Sequence, residues 1–253
     1  MGSVRRAMRK LAGLGWYARD AANFAIQARR AGRTERTRWR PQVLDRGQEA
    51  GCTRGAYFHQ DLLVAQRIHG ACPRRHIDVG SRVDGFVAHV ASFRPIEVID
   101  IRPMRSTAHN ITFLQADMMR HDSALESVCD SLSCLHALEH FGLGRYGDPI
   151  DPRGHERGLD CLIRMLEPGG ILYLSVPVGP EAVLFNCHRR FYSETIVRLV
   201  GRRLTLERLD VVDDSGDLRE NVPPEMALTD PTLGCRREGC AIFEFRRPRL
   251  ATP

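Results

Sequence analysis

The chain lacks long apolar runs and is almost devoid of lysine. Only Lys10 among its 37 basic residues is a lysine. No run of 18 apolar residues occurs, so we expect no transmembrane helix. The basic N-terminal residues are not followed by the apolar stretch and cleavage site of a secretory signal. Together these absences predict a cytoplasmic protein.

Cysteine is present, but not in a metal-binding arrangement. The eight cysteines include no C-x-x-C pair, and several fall in apolar segments, where cysteine behaves as a small hydrophobic residue. Cys235 and Cys240 alone are too few ligands for a structural zinc site. We therefore predict reduced cysteines and no bound metal.

The positive charge is concentrated at the N-terminus. Residues 1–50 contain 12 basic and four acidic residues, a net charge of +8, whereas the whole chain carries +6. The remaining residues are close to neutral. We therefore expect no nucleic-acid partner.

Residues 1–56 are predicted to form a basic helical extension and a linker. Apolar residues recur at helical spacing over residues 4–30, with Trp16, Tyr17 and Phe24 among them. A basic helix with aromatic side chains can lie on an anionic membrane surface, so peripheral membrane contact is one interpretation. The alternative is a helix that caps the domain at 57–253 and leaves its arginines in solvent.

A strand, a helix and a second strand are predicted at 76–101. The first strand leads into Gly80, the helix spans about 85–92, and the second strand covers 96–101. Asp78 and Asp100 stand near the ends of the two strands, where ligands of doubly wound sheets bind. A carboxylate at the end of the second strand can accept both hydroxyl protons of a ribose. The alternative is a pair of core strands with two capping aspartates.

The rest of the domain alternates between predicted strands and helices. Strands are predicted at 111–117, 128–135, 171–176, 204–212 and 241–245, and helices at 59–68, 155–166 and 193–200. Residues 213–239 are rich in proline, glycine and charge, which predicts an irregular insertion. This order indicates an α/β fold, a Rossmann-like, doubly wound, mostly parallel seven-stranded sheet with helices on both faces.

Four sequence blocks, in this order and spacing, resemble class I S-adenosylmethionine-dependent methyltransferases. The blocks are HIDVGSRVDGF at 76–86, VIDI at 98–101, FLQADM at 113–118, and DSLSCLHALEHF at 130–141 followed by LEPGGILYLSVP at 166–177. The stretches HIDVGSRVDGFVAHVASF and SLSCLHALEHFGLGRYGDPID are also similar to the 268 family of domains of unknown function. That family implies the same fold but no established substrate.

The first resemblance implies a site for S-adenosylmethionine at the strand ends. The residues implied to bind this cofactor are Asp78, Gly80, Ser81, Arg82, Asp100, Ile101, Asp117 and Met118. Among them, Asp100 would hold the ribose diol, and Asp117 or its neighbour Met118 would face the adenine. Asp78 and the Gly80 backbone would border the amino acid end.

The loop after the first strand departs from the usual Asp-x-Gly-x-Gly-x-Gly pattern. Arg82 and Asp84 stand at the second and third glycine positions, and Gly85 comes one residue late. A non-glycine residue at positive φ costs about 1–2 kcal/mol, so we expect this loop to follow a different path. Arg82 could bind a carboxylate or phosphate of a ligand, or pair with Asp84 or Asp100.

Candidates for a catalytic base follow the fourth strand. His136, Glu139 and His140 stand at the predicted rim of the crevice, and Asp148 is a secondary candidate. Histidine is favoured because its ordinary pKa lies nearest neutrality. The alternative is that residues 138–140 simply pack and cap the turn.

The glycine-rich stretch FGLGRYGDPID at 141–151 is predicted to recognise an acceptor. Arg145 and Tyr146 would supply its polar contacts, and His188 after the fifth strand would line the same side. The alternative is a structural loop held by its own turns.

We therefore expect an S-adenosylmethionine-dependent O-methyltransferase that acts on a small molecule or sugar. The main alternative is a non-catalytic methyltransferase-like protein that binds a nucleotide or a partner, which the altered loop favours. A third is an NAD-dependent oxidoreductase, although the absence of G-x-G-x-x-G argues against it. Fold resemblance does not by itself decide among these functions.

Overall fold

The chain forms two compact units in a computed structural model that describes residues 2–249. The first unit ends at Cys52 and the second begins at Thr53, a few residues before the boundary predicted after residue 56. Met1 and residues 250–253, which belong to the two predicted regions, lie outside the described residues.

The first unit is built around one long helix, α1, at Gly2–Arg30. The segment after α1 packs along one side of it. A Cβ atom at Gly13 would lie 2.5 Å from Val43 Cβ, and the Arg46 guanidinium lies 3.9 Å from the centre of the Trp16 ring. Phe24 and Trp39 meet edge to face at 6.1 Å. Among residues 2–249, no helix is both long and apolar enough to cross a membrane.

The second unit contains a sheet of eight strands and a separate two-stranded hairpin. The sheet order is β3-β2-β1-β4-β5-β10-β8-β9, in which the first five strands are parallel and the last three are antiparallel to their neighbours. The strands are β1 His76–Val79, β2 Ile96–Asp100, β3 Ile111–Gln115, β4 Cys129–Leu135, β5 Leu166–Val178, β6 Ala182–Leu184, β7 His188–Arg190, β8 Thr205–Val212, β9 Leu218–Val222 and β10 Gly239–Arg246.

Helices cover both faces of this sheet, as the doubly wound prediction requires. The helices are α2 Ala56–Ala71, a π-helical turn Val83–Val87 continued by α3 Ala88–Ala91, α4 Gly154–Met165, α5 Ser193–Val200 and α6 Met226–Thr229. One core cluster joins α4 and α5 to the sheet, through residues such as Leu162 and Ile196. A second joins α2 and α3 to it, through residues such as Val64 and Val90.

The main sheet has eight strands and not the predicted seven. The additional strand, β9, lies within the stretch 213–239 that was predicted to be irregular. Strand β9 pairs antiparallel with β8, and α6 follows it. The Asp213 carboxylate accepts hydrogen bonds from the amides of Ser215 and Asp217 at 2.8 and 3.2 Å and so closes the turn between the two strands. Strand β9 was missed because it is an edge strand with exposed charged residues and no apolar run.

A buried charge cluster attaches α2 to the antiparallel half of the sheet. Arg67 Nη1 lies 2.8 Å from the Asp210 carboxylate and 3.7 Å from that of Glu244. Asp210 also accepts a hydrogen bond from the amide of Asn221 in β9 at 2.9 Å. A buried charge is tolerated only when it is paired, so this cluster specifies how α2 sits on β8 and β10.

Candidate functional site

Two neighbouring cavities open at the carboxyl ends of the parallel strands. The first, of about 260 Å³, is bordered by the residues that follow β1, β2, β3 and β4. The second, of about 470 Å³, is bordered by the start of α2, the β8–β9 turn and the start of β10. The two share Tyr57, His136, His140 and Arg145 as common wall residues.

The floor of the first cavity rests on a buried carboxylate, that of Asp78. It accepts hydrogen bonds from Ser133 Oγ at 2.5 Å, from Ser81 Oγ at 2.6 Å and from the Ser81 amide at 3.1 Å. Ser81 Oγ in turn accepts the amide of Leu135 at 3.1 Å. Burial raises the pKa of Asp78 to about 6, although the three hydrogen bonds oppose the rise. Asp78 therefore does not border a ligand as expected but holds the loop after β1 against β4.

A buried histidine extends this network beneath the sheet ends. His76 Nε2 lies 3.2 Å from Ser133 Oγ, and His76 Nδ1 lies 2.8 Å from Ser131 Oγ. Because the Ser133 hydroxyl donates to Asp78, it must accept from His76 Nε2, so Nδ1 is left to accept from Ser131. Burial lowers the pKa of His76 to about 3, which keeps the ring neutral.

The turn after β1 requires glycine. Gly80 has a φ of +71°, a conformation that disfavours other residues. A Cβ atom there would lie 2.8 Å from Ala137 Cβ. Gly80 and Ser81 both line the first cavity.

The two departures from the glycine pattern pair with each other. The Arg82 Nε and Nη2 atoms donate to the Asp84 carboxylate at 3.2 and 3.1 Å, and the guanidinium lies 5.1 Å from the Tyr57 ring centre. The chain then enters the π-helical turn, where Gly85 lies close to the Asp61 carboxylate. The loop therefore does follow its own path, and Arg82 stays on the wall of the first cavity.

The acid at the end of β2 points into the same cavity. The Asp100 carboxylate accepts Arg102 Nη2 at 2.6 Å, Arg102 Nε at 3.0 Å and the Arg102 amide at 2.8 Å. The Arg102 guanidinium lies 4.2 Å from the centre of the Tyr146 ring. Arg102, which the sequence interpretation missed, thus links Asp100 to the loop at 141–151.

The side of the first cavity formed after β3 is more apolar. Asp117 accepts the amide of Met119 at 2.9 Å and so shapes the turn, while Met118 is buried and lines the cavity beside Ile101. Ala116, Met118 and Met119 supply the apolar surface on this side.

A buried ion pair separates the two cavities. His136 Nδ1 lies 2.8 Å from Glu139 Oε1. Burial alone would lower the pKa of His136, but Cys240 and the Glu139 carboxylate raise it well above its usual value. His136 Nε2 and Glu139 Oε2 are buried and have no hydrogen-bond partner among the described residues. Such atoms at a cavity wall are available to a ligand.

His140 differs from His136 in its charge. Its Nδ1 donates to the carbonyl oxygen of Cys187 at 2.7 Å, so a neutral ring has its free electron pair on Nε2. Burial lowers the pKa of His140, although Glu139 and the Cys187 carbonyl oppose this effect. His140 is therefore a neutral imidazole at neutral pH, placed where the two cavities meet.

Asp148, the predicted secondary base, is hydrogen-bonded within its own loop. Its carboxylate oxygens accept the amides of Gly142, Gly144 and Tyr146 at 2.9, 3.0 and 3.1 Å. These bonds close the loop on itself, so Asp148 shapes the wall of the first cavity.

The remaining predicted residues divide between the two cavities. Arg145 and Tyr146 line the first, and Arg145 also lines the second. Glu139 and His188 line only the second. The buried Arg189, next to His188, lines neither cavity. It holds the loop at 141–151 by donating to the carbonyl oxygens of Phe141 and Pro152 at 2.5 and 3.2 Å.

Comparison with known proteins agrees with this geometry. A family model described as Caenorhabditis protein of unknown function, DUF268, matches residues 103–222. The fold is that of class I methyltransferases. The resemblance to both groups is thus confirmed, although the family match begins after the altered loop. No curated protein matches the chain.

Solved structures with this fold differ in what they do. The cyclase SpnF is 18% identical, with a TM-score of 0.54 and coverage of 85% of either chain. The 1,6-didemethyltoxoflavin N1-methyltransferase of Burkholderia thailandensis, solved with S-adenosylhomocysteine, is 14% identical, with a TM-score of 0.50 and coverage of 75% of this chain and 78% of that one. The N-methyltransferase NodS of Bradyrhizobium japonicum is 15% identical, with a TM-score of 0.50 and coverage of 78% and 100%. At these identities the likeness concerns the fold alone.

The neutral state of His76 predicts a pH dependence of stability. Its pKa of about 3 in the folded chain lies below the ordinary value of 6.5, so below pH 6.5 only the unfolded chain binds this proton. The stability linked to His76 is complete above pH 6.5 and is lost at up to about 1.4 kcal/mol per pH unit as the pH falls toward 3. Asp78 acts in the opposite direction between pH 6 and 3.8.

Urea unfolding of the wild type and of His76→Asn at pH 7, 6, 5 and 4 measures this contribution. We expect the wild type to lose its advantage over His76→Asn as the pH falls, because the variant has no imidazole to protonate. His109→Asn, at an exposed histidine, should run parallel to the wild type. Parallel curves for His76→Asn and wild type would contradict the buried neutral assignment.

Proposed function

We propose that this protein is an S-adenosylmethionine-dependent methyltransferase that acts on a hydroxyl group of a small molecule or sugar. The observation that carries the proposal is the junction of the two cavities at a neutral histidine, His140. One cavity has the acid and the glycine turn suited to an adenosyl cofactor. The other is polar and open to an acceptor.

The first cavity fits the parts of S-adenosylmethionine. The Asp100 oxygens keep electron pairs that can accept a ribose diol while Arg102 holds the carboxylate in place. Met118 and Ile101 offer apolar surface to the adenine. The Gly80 turn lets a ligand approach the backbone. When bound, the cofactor supplies an activated methyl group.

Arg82 is placed to bind the carboxylate of the cofactor's amino acid portion. Its one ion-pair partner among the described residues is Asp84, whose side chain is 78% exposed, and such exposed pairs contribute little and exchange readily. Tyr57 supports one face of the guanidinium. A planar guanidinium on an aromatic ring suits a two-point contact with a carboxylate. Arg82 would thus replace the backbone contacts of the missing glycines.

Calorimetry with S-adenosylmethionine, S-adenosylhomocysteine, 5′-methylthioadenosine and NAD tests the cofactor assignment. We expect binding of the first three and not of NAD. Asp100→Asn should weaken S-adenosylhomocysteine and methylthioadenosine alike by about tenfold or more, the effect of a lost charged hydrogen bond. Arg82→Gln should weaken only S-adenosylhomocysteine, because methylthioadenosine lacks the carboxylate.

Arg198→Gln, at an exposed position of α5 where Arg198 pairs with Glu194, is the matched control and should bind like the wild type. If none of the three adenosyl ligands binds, a non-catalytic protein is favoured. If NAD alone binds, an oxidoreductase is favoured. If Arg82→Gln weakens the binding of S-adenosylhomocysteine and of methylthioadenosine equally, Arg82 does not bind the carboxylate. The cofactor assignment would still stand.

The second cavity supports a polar, hydroxylated acceptor. Its wall includes the unpartnered Glu139 Oε2 and His136 Nε2, together with the acidic Asp213 and Glu238. Oxygen and nitrogen atoms of this kind match the many hydroxyl groups of a sugar. His140 Nε2 lies at the junction and can take the proton of a hydroxyl as its oxygen becomes methylated.

His140→Gln should lower methyl transfer by about 10²–10⁴-fold, the usual contribution of a general base, while S-adenosylhomocysteine binds as before. A general base must be unprotonated, and burial lowers the pKa of His140. The wild-type rate should therefore be low in acid, increase as the pH increases through the acidic range, and be constant around neutral pH. The measurement is release of S-adenosylhomocysteine with a panel of monosaccharides, nucleotide-linked sugars and phenols. His121→Gln, at an exposed histidine outside both cavities, should retain activity. Transfer to amines alone would refute the hydroxyl assignment.

We propose in addition that α1 contacts an anionic membrane surface. Its side opposite the Val43 and Trp39 contacts exposes Met8, Leu11 and Ile26, whose exposures are 65%, 70% and 50%. Residues 1–50 carry a net charge of +8. An apolar stripe within a basic helix is the combination that lies in a lipid headgroup region.

Co-sedimentation with vesicles of phosphatidylcholine, with and without phosphatidylglycerol, tests this contact. We expect binding only to the anionic vesicles and release by salt. Leu11→Glu should weaken binding about tenfold, since a buried leucine contributes about 1.5–3 kcal/mol. Gln27→Glu adds the same charge on the other side of α1 and should weaken it less. Equal effects of the two variants, or no vesicle binding, would refute the proposal.

A further inference from the structure

Three side chains at the second cavity form a hydrogen-bonded chain that has no assigned part in the chemistry of methyl transfer. The Sγ atom of Cys187 lies 3.2 Å from Nδ1 of His188. Nε2 of His188 lies 2.9 Å from Oε2 of Glu238. His188 and Glu238 line the second cavity, and Cys187 adjoins them.

The direction of these hydrogen bonds follows from the carboxylate. A carboxylate only accepts, so His188 Nε2 must carry a hydrogen and donate it to Glu238. In the neutral ring Nδ1 then bears the free electron pair, and it faces the thiol of Cys187. A nucleophile, a base within reach of its proton and an acid that orients the base form the arrangement of an activated thiol.

The surrounding backbone holds the thiol in this position. Cys187 ends a tight turn between β6 and β7, in which its amide donates to the Leu184 carbonyl at 2.9 Å and Asn186 has a φ of +58°. The Cys187 carbonyl accepts His140 Nδ1 at 2.7 Å and Arg145 Nη1 at 3.2 Å. Cys187 thus carries the thiol on its side chain, and its carbonyl oxygen orients His140, the proposed base.

The other cysteines provide a contrast within the same molecule. Cys129, Cys134 and Cys235 are buried, and burial raises the pKa of each thiol, to about 12 for Cys129 and about 11 for Cys235. Cys72 is exposed, but its Sγ contacts only the carbonyl oxygen of His69, at 3.1 Å. Cys187 is half-buried and has a histidine base beside it. Reactive cysteines occupy accessible sites next to such a base, whereas buried ones are inert.

We propose that Cys187, His188 and Glu238 form a reactive-thiol site, in which Cys187 is covalently modified by small soft electrophiles, including low-molecular-weight disulfides. With an alkyl halide, the thiol proton passes to His188, a carbon–sulfur bond forms, and halide leaves as the carbon–halogen bond breaks. With a disulfide, Cys187 sulfur bonds to one sulfur, and the other leaves as a thiol with the proton from His188. This proposal does not rest on methyl transfer.

Timed iodoacetamide labelling of the full chain, read by peptide mass spectrometry at neutral pH, tests the site. We expect Cys187 to react about tenfold faster than Cys72, despite being less exposed. His188→Gln should reduce the Cys187 rate to that of Cys72. Glu238→Gln should reduce it less, because its amide oxygen still accepts from His188.

Cys72 serves as the internal control in every variant, and labelling of the buried Cys134 reports any unfolding. If His188→Gln unfolds, the wild-type rate ratio and the Glu238→Gln variant still decide the question. The proposal is overturned if wild-type Cys187 reacts no faster than Cys72. It is equally overturned if folded His188→Gln leaves the Cys187 rate unchanged.

Discussion

The buried carboxylate of Asp78 is the constraint on which the candidate site depends. It draws two serine hydroxyls and an amide onto itself and so fixes the loop after β1 against the end of β4. Leaving any of those groups unpaired in the interior would cost about 1–3 kcal/mol for each group. The wall of the first cavity that carries Gly80 and Ser81 is thereby held at the end of β4.

Charge around the two cavities is arranged in local pairs. His136 is paired with Glu139, Arg102 with Asp100 and Arg82 with Asp84. In His140, burial lowers the pKa of the ring, a backbone carbonyl fixes its orientation, and Nε2 lies 3.7 Å from the Glu139 carboxylate. A neutral, oriented imidazole between two cavities is suited to moving a proton, whereas a paired histidine is suited to holding a position.

The Cys187 carbonyl connects His140 to the β6–β7 hairpin. The turn of this hairpin bears the exposed Phe185 and, directly after it, Cys187 and His188 of the Cys187–His188–Glu238 chain. A movement of the turn would therefore reach both the thiol and the orientation of His140. Loops positioned by a rigid sheet commonly carry such functional groups.

The sequence alone determined the α/β order of elements, the acids that follow the strands and the resemblance to the methyltransferase fold, because these depend on local periodicity and spacing. Only the tertiary structure decided that Asp78 is buried and that the exposed edge strand β9 exists. It also decided that the Asp148 carboxylate accepts amides of its own loop and that the Cys187 carbonyl accepts a hydrogen bond from His140. Each of those depends on which partner is nearest in space after folding. Segments far apart in the chain supply many of these partners, and no local pattern encodes that distance.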